Sequence, residues 1–494
     1  MKFIPHGAAR EVTGTCHEIQ VQTPGGMRRV LLDCGLFQGK RAESAQKNAV
    51  FTFDPGKDID AVVLTHAHMD HVGRIPVLFK RGFAGPVFCT YATKDLAEVM
   101  LQDGGYIQEK DEEYFRKHIS KSRLPTEGPL YTQADAKSCL VLFRGENMGE
   151  WFPVCDGVRA QFIEAGHIVG AVMVVLEVTE SPSPSGSVSA SPGLRRGNPA
   201  VRRIGFSGDL GRNLLPIIRD PAPMPPVETL ICESTYGNRA HEDIDTARHH
   251  LRDAIVRTAQ RGGKVLIPAF SLERAQEILF DLHLLWDQKE IPALPVIVDS
   301  PLTTKVTEVF MKHPECYDKD MYEKFLAKAK NPFQFSLVRF TETPEESKAL
   351  NTTPGPMVIL AGSGMCEAGR IRHHLKNGIE DARNTVVAVG YMAENTLGRR
   401  LIDPTVTQVK IFDELLTKKA EVVSIAAYSG HADMADLDRF ILQTEGVQHL
   451  ILVHGEPSQM DPLAEHTRSH SPNRPRRPML LSAPAENTGS AHPD

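Results

Sequence analysis

The chain has 494 residues, 41% of them hydrophobic and 24% charged, an ordinary globular balance that excludes disorder as the default state. That length suits about three domains, or one large α/β unit carrying an insertion. Fifty-six Lys and Arg against 62 Asp and Glu leave a net charge of −6, so any phosphate-binding surface must be local. The longest apolar stretch, Ile168–Leu176, is far short of the roughly 20 residues a bilayer span needs. Met1–His6 lacks the apolar core of a secretory signal. Eight cysteines without a C-x-x-C pair argue against a thiolate zinc finger and a disulfide scaffold. The expected setting is the cytoplasm, away from membranes.

In chain order, Val30–Asp33 and Ala61–Thr65 are β-branched runs that end in polar residues, and both read as buried strands feeding loops. Residues 94–118 read as a helix. Residues 160–179 read as two strands joined at Gly166-His167. Six Ser, four Pro and three Gly fill residues 181–200, which predicts a disordered loop. Strands are expected at Arg202–Ser207 and Leu230–Cys232. From 242 a strand–helix alternation follows: helix 242–261, strand Lys264–Pro268, helix 271–287, strand Val296–Asp299, helices 301–313 and 318–328, then strands Met357–Ala361 and Val386–Val389. This grammar marks 242–395 as an α/β layer of its own. Val422–Ala426 and Leu450–Val453 are again strands, each leading to a histidine-bearing loop. Past Glu456 the apolar residues are few, Leu463 and Met479–Leu481, among prolines and arginines. Neither a closing helix nor a closing strand is predicted there, and 466–494 reads as a poorly ordered tail.

The strongest chemical signal is Thr65-His66-Ala67-His68-Met69-Asp70-His71. Four candidate ligands fall within six residues, directly after a strand, where a loop can splay them around two ions. Imidazole nitrogen and carboxylate oxygen suit zinc, with manganese and iron as competitors. A polar loop of hydrogen-bonded histidines is the plainer alternative. His167, Asp209 and His454 each stand at a turn or strand end too. Singly they read as ordinary turn residues; together they suit a site at one edge of a sheet sandwich.

The H-x-H-x-D-H run, with Asp33 before it and His167, Asp209 and His454 after it, resembles the metallo-β-lactamase fold. Further segments resemble the β-CASP nucleases, of the cleavage-and-polyadenylation endonuclease-like and bacterial or archaeal RNA-processing type. They are Glu233-Ser234-Thr235-Tyr236-Gly237, Gly362-Ser363-Gly364-Met365, Thr396-Leu397-Gly398-Arg399, Ser429-Gly430-His431-Ala432-Asp433 and Val453-His454-Gly455-Glu456. The resemblance spans roughly 1–460. It implies an α/β protein, an αβ/βα sandwich with an inserted α/β β-CASP domain. The expected division is 1–241 and 396–465 for the sandwich and 242–395 for the insertion.

By the same resemblance His66, His68 and His167 would hold one zinc ion. Asp70, His71 and His454 would hold a second, with Asp209 bridging and Asp33 orienting a ligand histidine. The implied activity is zinc-dependent hydrolysis of RNA phosphodiester bonds, endonucleolytic with 5′-exonucleolytic trimming left open. Asp70, Glu233 and His431 are the expected catalytic residues, with His431 protonating the departing oxygen and Glu233 holding its tautomer. Single-stranded RNA is the expected partner, entering a cleft between the two domains. Backbone N–H groups at Ser363 and Gly364, and Arg370, Arg372 and Arg399, are candidates to meet its phosphates. A homodimer is left open. Two alternatives differ in what they require. A hydrolase of small esters or thioesters has no use for the inserted domain or for His431 with Glu233. A non-catalytic RNA-processing scaffold should have lost metal ligands, and all seven positions are present.

Overall fold

The computed structural model describes residues 1–39, 41–118, 128–181, 200–390, 392, 395–425, 427–469 and 479–480. Residues 182–199 of the predicted disordered loop and most of the predicted tail lie outside these residues, and Ala200 already belongs to a strand. The chain divides into two compact units. One comprises Met1–Asn213, Asp220–Ala240 and His431–Asp494; the other comprises Leu214–Arg219 and His241–Gly430. Among the described residues no helix is long and apolar enough to cross a membrane.

The first unit is a sandwich of two sheets. Its first sheet runs β1 (Lys2–Pro5), β2 (His17–Thr23), β3 (Gly26–Leu32), β4 (Ala61–Val63), β5 (Val87–Thr90), β6 (Phe143–Glu146) in spatial order. The first three strands pair antiparallel and the rest parallel. The second sheet contains β7 (Trp151–Cys155), β8 (Val158–Glu164), β9 (Val172–Glu180), β10 (Ala200–Phe206) and β11 (Thr229–Glu233), then β20 (His449–Val453) and β21 (Met479–Leu480). β10, β11, β20 and β21 run parallel, which brings their C-terminal ends to one edge.

Alternate residues of facing strands fill the core between the sheets. Ile19, Val21, Val30, Leu32 and Val63 meet Val158, Ala160, Phe162, Val174, Leu176, Phe206 and Val453. The period of two along β8 and β9 is what a pleated strand imposes. β9 is also buried on its other face from Val172 to Val178, and the helices Tyr91–His118 and Pro457–Ser469 pack against β5 and β6 and against β20 and β21 respectively. The sandwich is therefore of the αβ/βα kind.

The closing segment corrects the reading of the C-terminal region. Helix Pro457–Ser469 buries Gln459, Met460, Leu463, Ala464 and Thr467 despite an internal Pro462, and Met479 and Leu480 pair parallel with Ile451 and Leu452. Its buried stripe mixes small and polar residues, and proline ordinarily ends a helix, so low hydropathy concealed it.

The second unit holds an all-parallel sheet in the order β14 (Val338–Phe340), β13 (Val296–Val298), β15 (Met357–Ala361), β12 (Lys264–Pro268), β16 (Thr385–Val389), β19 (Glu421–Ile425). The hairpin β17 (Gln408–Ile411) and β18 (Glu414–Thr417) belongs to it as well. The unit reaches Gly430, beyond the expected 395, because β19 completes its sheet and Val409, Ile411 and Ala420 enter its core. Helix caps agree with the local sequence: Asp243 caps Ile244–Gln260 and Ser300 caps Pro301–Lys312.

A buried carboxylate staples the first sheet. Glu18 is fully enclosed and accepts hydrogen bonds from His6 Nε2 at 2.9 Å, from Gln20 Nε2 at 2.8 Å and from Arg29. Burial works against its charge, but these partners outweigh it and bring its pKa down to about 2. A depressed pKa contributes stability that is complete above the unfolded value and lost as pH falls through the folded one. Glu18→Gln is therefore expected to destabilise the protein at neutral pH by about 1.5–3 kcal/mol, the worth of charge-assisted hydrogen bonds. In urea titrations the gap from wild type should close as pH falls through about 4.5 toward 2.

Candidate metal centre

Every candidate ligand stands just past the C-terminal end of a strand or in a turn of the sandwich unit. β4 delivers Thr65 and His66. His68 stands at the N-terminal boundary of the short helix Met69–Val72, which carries Asp70 and His71. His167 lies in the turn between β8 and β9, Asp209 follows β10, and His454 follows β20. Two of these strand ends are strained. Asp33, just after β3, has φ of 61° and His454 has φ of 49°, a region non-glycine residues enter at a cost of about 1–3 kcal/mol. Backbone hydrogen bonds impose both: Asp33 N–H donates to Val63 O at 3.1 Å and His454 N–H to Ala8 O at 2.8 Å. Gly35 lets the Asp33 segment lie against the ligand loop, since a Cβ there would stand 1.6 Å from Asp70 O.

Two groups of donor atoms converge. In the first, His68 Nδ1 lies 3.0 Å from His66 Nε2 and 3.2 Å from His167 Nε2. Asp209 Oδ2 lies 3.5 Å from His66 Nε2 and 3.6 Å from His167 Nε2. In the second, His454 Nε2 lies 3.5 Å and His71 Nε2 4.0 Å from Asp70 Oδ2, and Asp209 Oδ1 lies 3.1 Å from His71 Nε2. Asp209 thus offers one oxygen to each group.

Hydrogen bonds behind the ligands assign their tautomers. Asp33 Oδ2 accepts from His71 Nδ1 at 2.8 Å and from Thr65 Oγ1 at 2.8 Å. Thr65 Oγ1 in turn accepts from His66 Nδ1 at 2.9 Å. When neutral, both imidazoles therefore carry their proton on Nδ1 and turn a bare Nε2 into the site, and one carboxylate governs both. Thr235 Oγ1, 3.1 Å from His454 Nδ1, has the same place behind the third histidine. The roles of Thr65 and Thr235 were missed in the sequence; adjacency to His66 and to Glu233 was the available signal.

The electrostatics suit cations. Burial pushes His66 well down and takes His68 to about 4, so both are neutral, the form a metal needs. Burial opposes the Asp209 charge, yet His454, His71 and His431 hold its pKa well below the usual carboxylate range. Its Oδ1 is buried and receives no hydrogen bond, as a metal-ligating oxygen would be. The residues fit a metal centre.

A third group adjoins these. His431, about one-fifth exposed, sets Nδ1 3.1 Å from Glu233 Oε1 and 3.9 Å from Asp209 Oδ2. Its ring centre is 4.6 Å from that of His167. Glu233 ends β11 fully buried, held by Leu210 N–H at 2.6 Å and Thr235 N–H at 3.2 Å. Burial disfavours the His431 imidazolium, but Glu233 and Asp209 outweigh it and raise its pKa to about 9.

The candidate phosphate contacts all lie in the second unit. Ser363 and Gly364 form the turn after β15, and Ser363 Oγ accepts from Ala368 N–H at 3.3 Å. Arg372 stacks over the Phe412 ring at 4.3 Å, and Arg399 is exposed in the last turn of Leu397–Ile402. Arg370 is different, and its assignment as a phosphate contact is corrected. Its guanidinium is committed to buried Asp299 at 2.6 Å, Thr341 at 3.0 Å and Glu342 O at 3.1 Å. Asp299 also accepts from His374 Nε2 at 2.6 Å and Ser347 Oγ at 2.6 Å, so this cluster braces the fold.

The sandwich with these ligands at one sheet edge is the arrangement of a metal-dependent hydrolase. Family models agree: a metallo-beta-lactamase superfamily model matches residues 12–111, a Beta-Casp domain model 275–401 and a Zn-dependent metallo-hydrolase RNA specificity domain model 416–476. Ribonuclease TTHA0252 of Thermus thermophilus is 38% identical over 460 residues, covering 93% of this chain and 94% of that protein. Transcription termination factor FttA of Methanocaldococcus jannaschii is 31% identical over 97% of this chain and 70% of its own length. Cleavage and polyadenylation specificity factor 73 of Drosophila melanogaster is 29% identical over 94% of this chain and 61% of its own. The chain belongs to the β-CASP ribonuclease family of metallo-β-lactamase-fold hydrolases.

Proposed function

We propose that this protein is a cytoplasmic, zinc-dependent ribonuclease that cuts single-stranded RNA internally and holds two zinc ions per chain. The carrying observation is the pair of donor groups sharing Asp209, with the Glu233–His431 pair beside them. His66, His68, His167 and Asp209 would hold one ion; Asp70, His71, His454 and Asp209 the other. When bound, such ions lower the pKa of water and polarise a phosphoryl oxygen. The protein's own contribution is orientation and a proton. Asp33 presents two ligand histidines in the correct tautomer, and Glu233 fixes His431 Nδ1, leaving Nε2 to carry the proton. At neutral pH His431 is an imidazolium, able to protonate the oxygen that departs as the phosphorus–oxygen bond breaks. Ser363, Gly364, Arg372 and Arg399 are proposed to meet backbone phosphates.

The test is a comparison of substrates. Purified protein is incubated with end-labelled RNA, DNA and a thioester, each with and without chelator. Internal cleavage of RNA that chelation stops and zinc restores is the expected result. Thioester hydrolysis without RNA cleavage would overturn the reading.

A further inference from the structure

Resting on that reading, we propose that Phe270 is a platform on which an unpaired base of the RNA strand stacks, beside the hydroxyl-lined turn at Gly362–Gly364. Phe270 is 44% exposed, in the loop that leaves the C-terminal end of β12. In open parallel sheets this is the edge at which ligands bind. The loop is firmly held. Ala269 N–H donates to Ala361 O at 3.1 Å, and Phe270 O accepts from Ala275 N–H at 3.2 Å at the start of helix Arg274–Asp287.

The ring lies on the Gly364 backbone. A Cβ at Gly364 would stand 2.6 Å and 2.7 Å from Phe270 Cδ2 and Cε2, so glycine at 364 is what admits the aromatic side chain. The ring is therefore supported by the backbone at Gly364 yet remains far from buried. Side-chain hydroxyls surround the same edge. Ser271 Oγ and Ser300 Oγ are 3.3 Å apart, and a Cβ at Gly362 would come within 3.5 Å and 3.7 Å of them. Ser300 caps the helix Pro301–Lys312 and Ser363 follows Gly362. Aromatic platforms on which bases stack grip single-stranded nucleic acid without reading its sequence, and serine hydroxyls are among the groups that meet phosphate oxygens.

The prediction is a binding defect. For a single-stranded oligonucleotide Phe270→Ala should raise KM roughly 5- to 150-fold, the range of one lost base stack, with kcat close to wild type. Phe270→Trp should restore KM, and Phe270→Leu, apolar but without a π face, should not. A substrate abasic at one position should reproduce the defect in wild type and add nothing to it in Phe270→Ala. Unchanged KM in Phe270→Ala, or rescue by Phe270→Leu, would overturn the proposal. So would an abasic penalty as large in Phe270→Ala as in wild type. If wild type cuts no RNA, the ribonuclease reading fails, and a direct measurement still decides the stack. An oligonucleotide carrying 2-aminopurine is mixed with the full chain before turnover. Fluorescence quenching that Phe270→Ala abolishes supports stacking; quenching equal in both, or absent in wild type, overturns it.

Discussion

His431→Ala is expected to retain metal and fold and to lose roughly 10²–10⁴-fold in RNA cleavage, the usual contribution of a positioned general acid. The reason lies in its surroundings. His431 Nδ1 is occupied by Glu233 Oε1 at 3.1 Å, and the two donor groups are complete without it. In the proposed two-ion site the ring has no metal to hold and keeps its proton. The raised pKa gives the direction of the pH effect. The acid is present below about 9 and lost as pH rises through it, so wild-type cleavage should fall there and His431→Ala should show no such limb. Glu233→Gln should lower activity in the same direction, because it removes the charge that stabilises the imidazolium. Leaving-group dependence separates this role from others. A diester with a p-nitrophenol leaving group needs little protonation and should suffer far less in both variants. Equal losses on RNA and on the activated ester would mean that His431 positions phosphate or metal and does not supply the proton.

Much of this site was legible because its residues are clustered in sequence or stand at strand ends. The run from His66 to His71 announces itself by spacing, and His167, Asp209 and His454 each follow an apolar run. What spacing could not convey is the geometry behind the ligands. That Asp33 governs both His71 and His66, the latter through Thr65, depends on the left-handed conformation at residue 33 and on parallel pairing of β3 with β4. The same limit applies to the fold. The strand–helix alternation of 264–389 reads directly from apolar runs, because each buried parallel strand is continuous in hydrophobicity. Long-range pairing of β19 with β16, which carries the second unit to Gly430, has no local signature. Arg370 shows the converse error. A basic residue beside a glycine turn suits a phosphate, yet Asp299, 71 positions earlier in the chain, claims its charge.

Asp209→Ala is expected to remove both ions, where His167→Ala removes one. Asp209 places Oδ2 with His66 and His167 and Oδ1 with His71, so its loss opens both groups at once. His167 belongs to the first group alone, and Asp70, His71, His454 and Asp209 all remain to hold the second ion. Elemental analysis after gel filtration should therefore show about two zinc ions per chain for wild type, about one for His167→Ala and close to none for Asp209→Ala. RNA cleavage by Asp209→Ala should fall on the order of 10³-fold or more, since bound metal lowers the pKa of water by roughly nine units and that gain is lost. Asp209→Asn makes the distinction sharper. It preserves size and one acceptor oxygen but removes the charge, and its amide nitrogen cannot ligate. It should retain a single ion, bound more weakly than in His167→Ala, because a neutral carbonyl oxygen replaces a carboxylate. If Asp209→Ala kept one firmly bound zinc, as His167→Ala is expected to do, Asp209 would serve one group only, and a shared carboxylate would have to be abandoned.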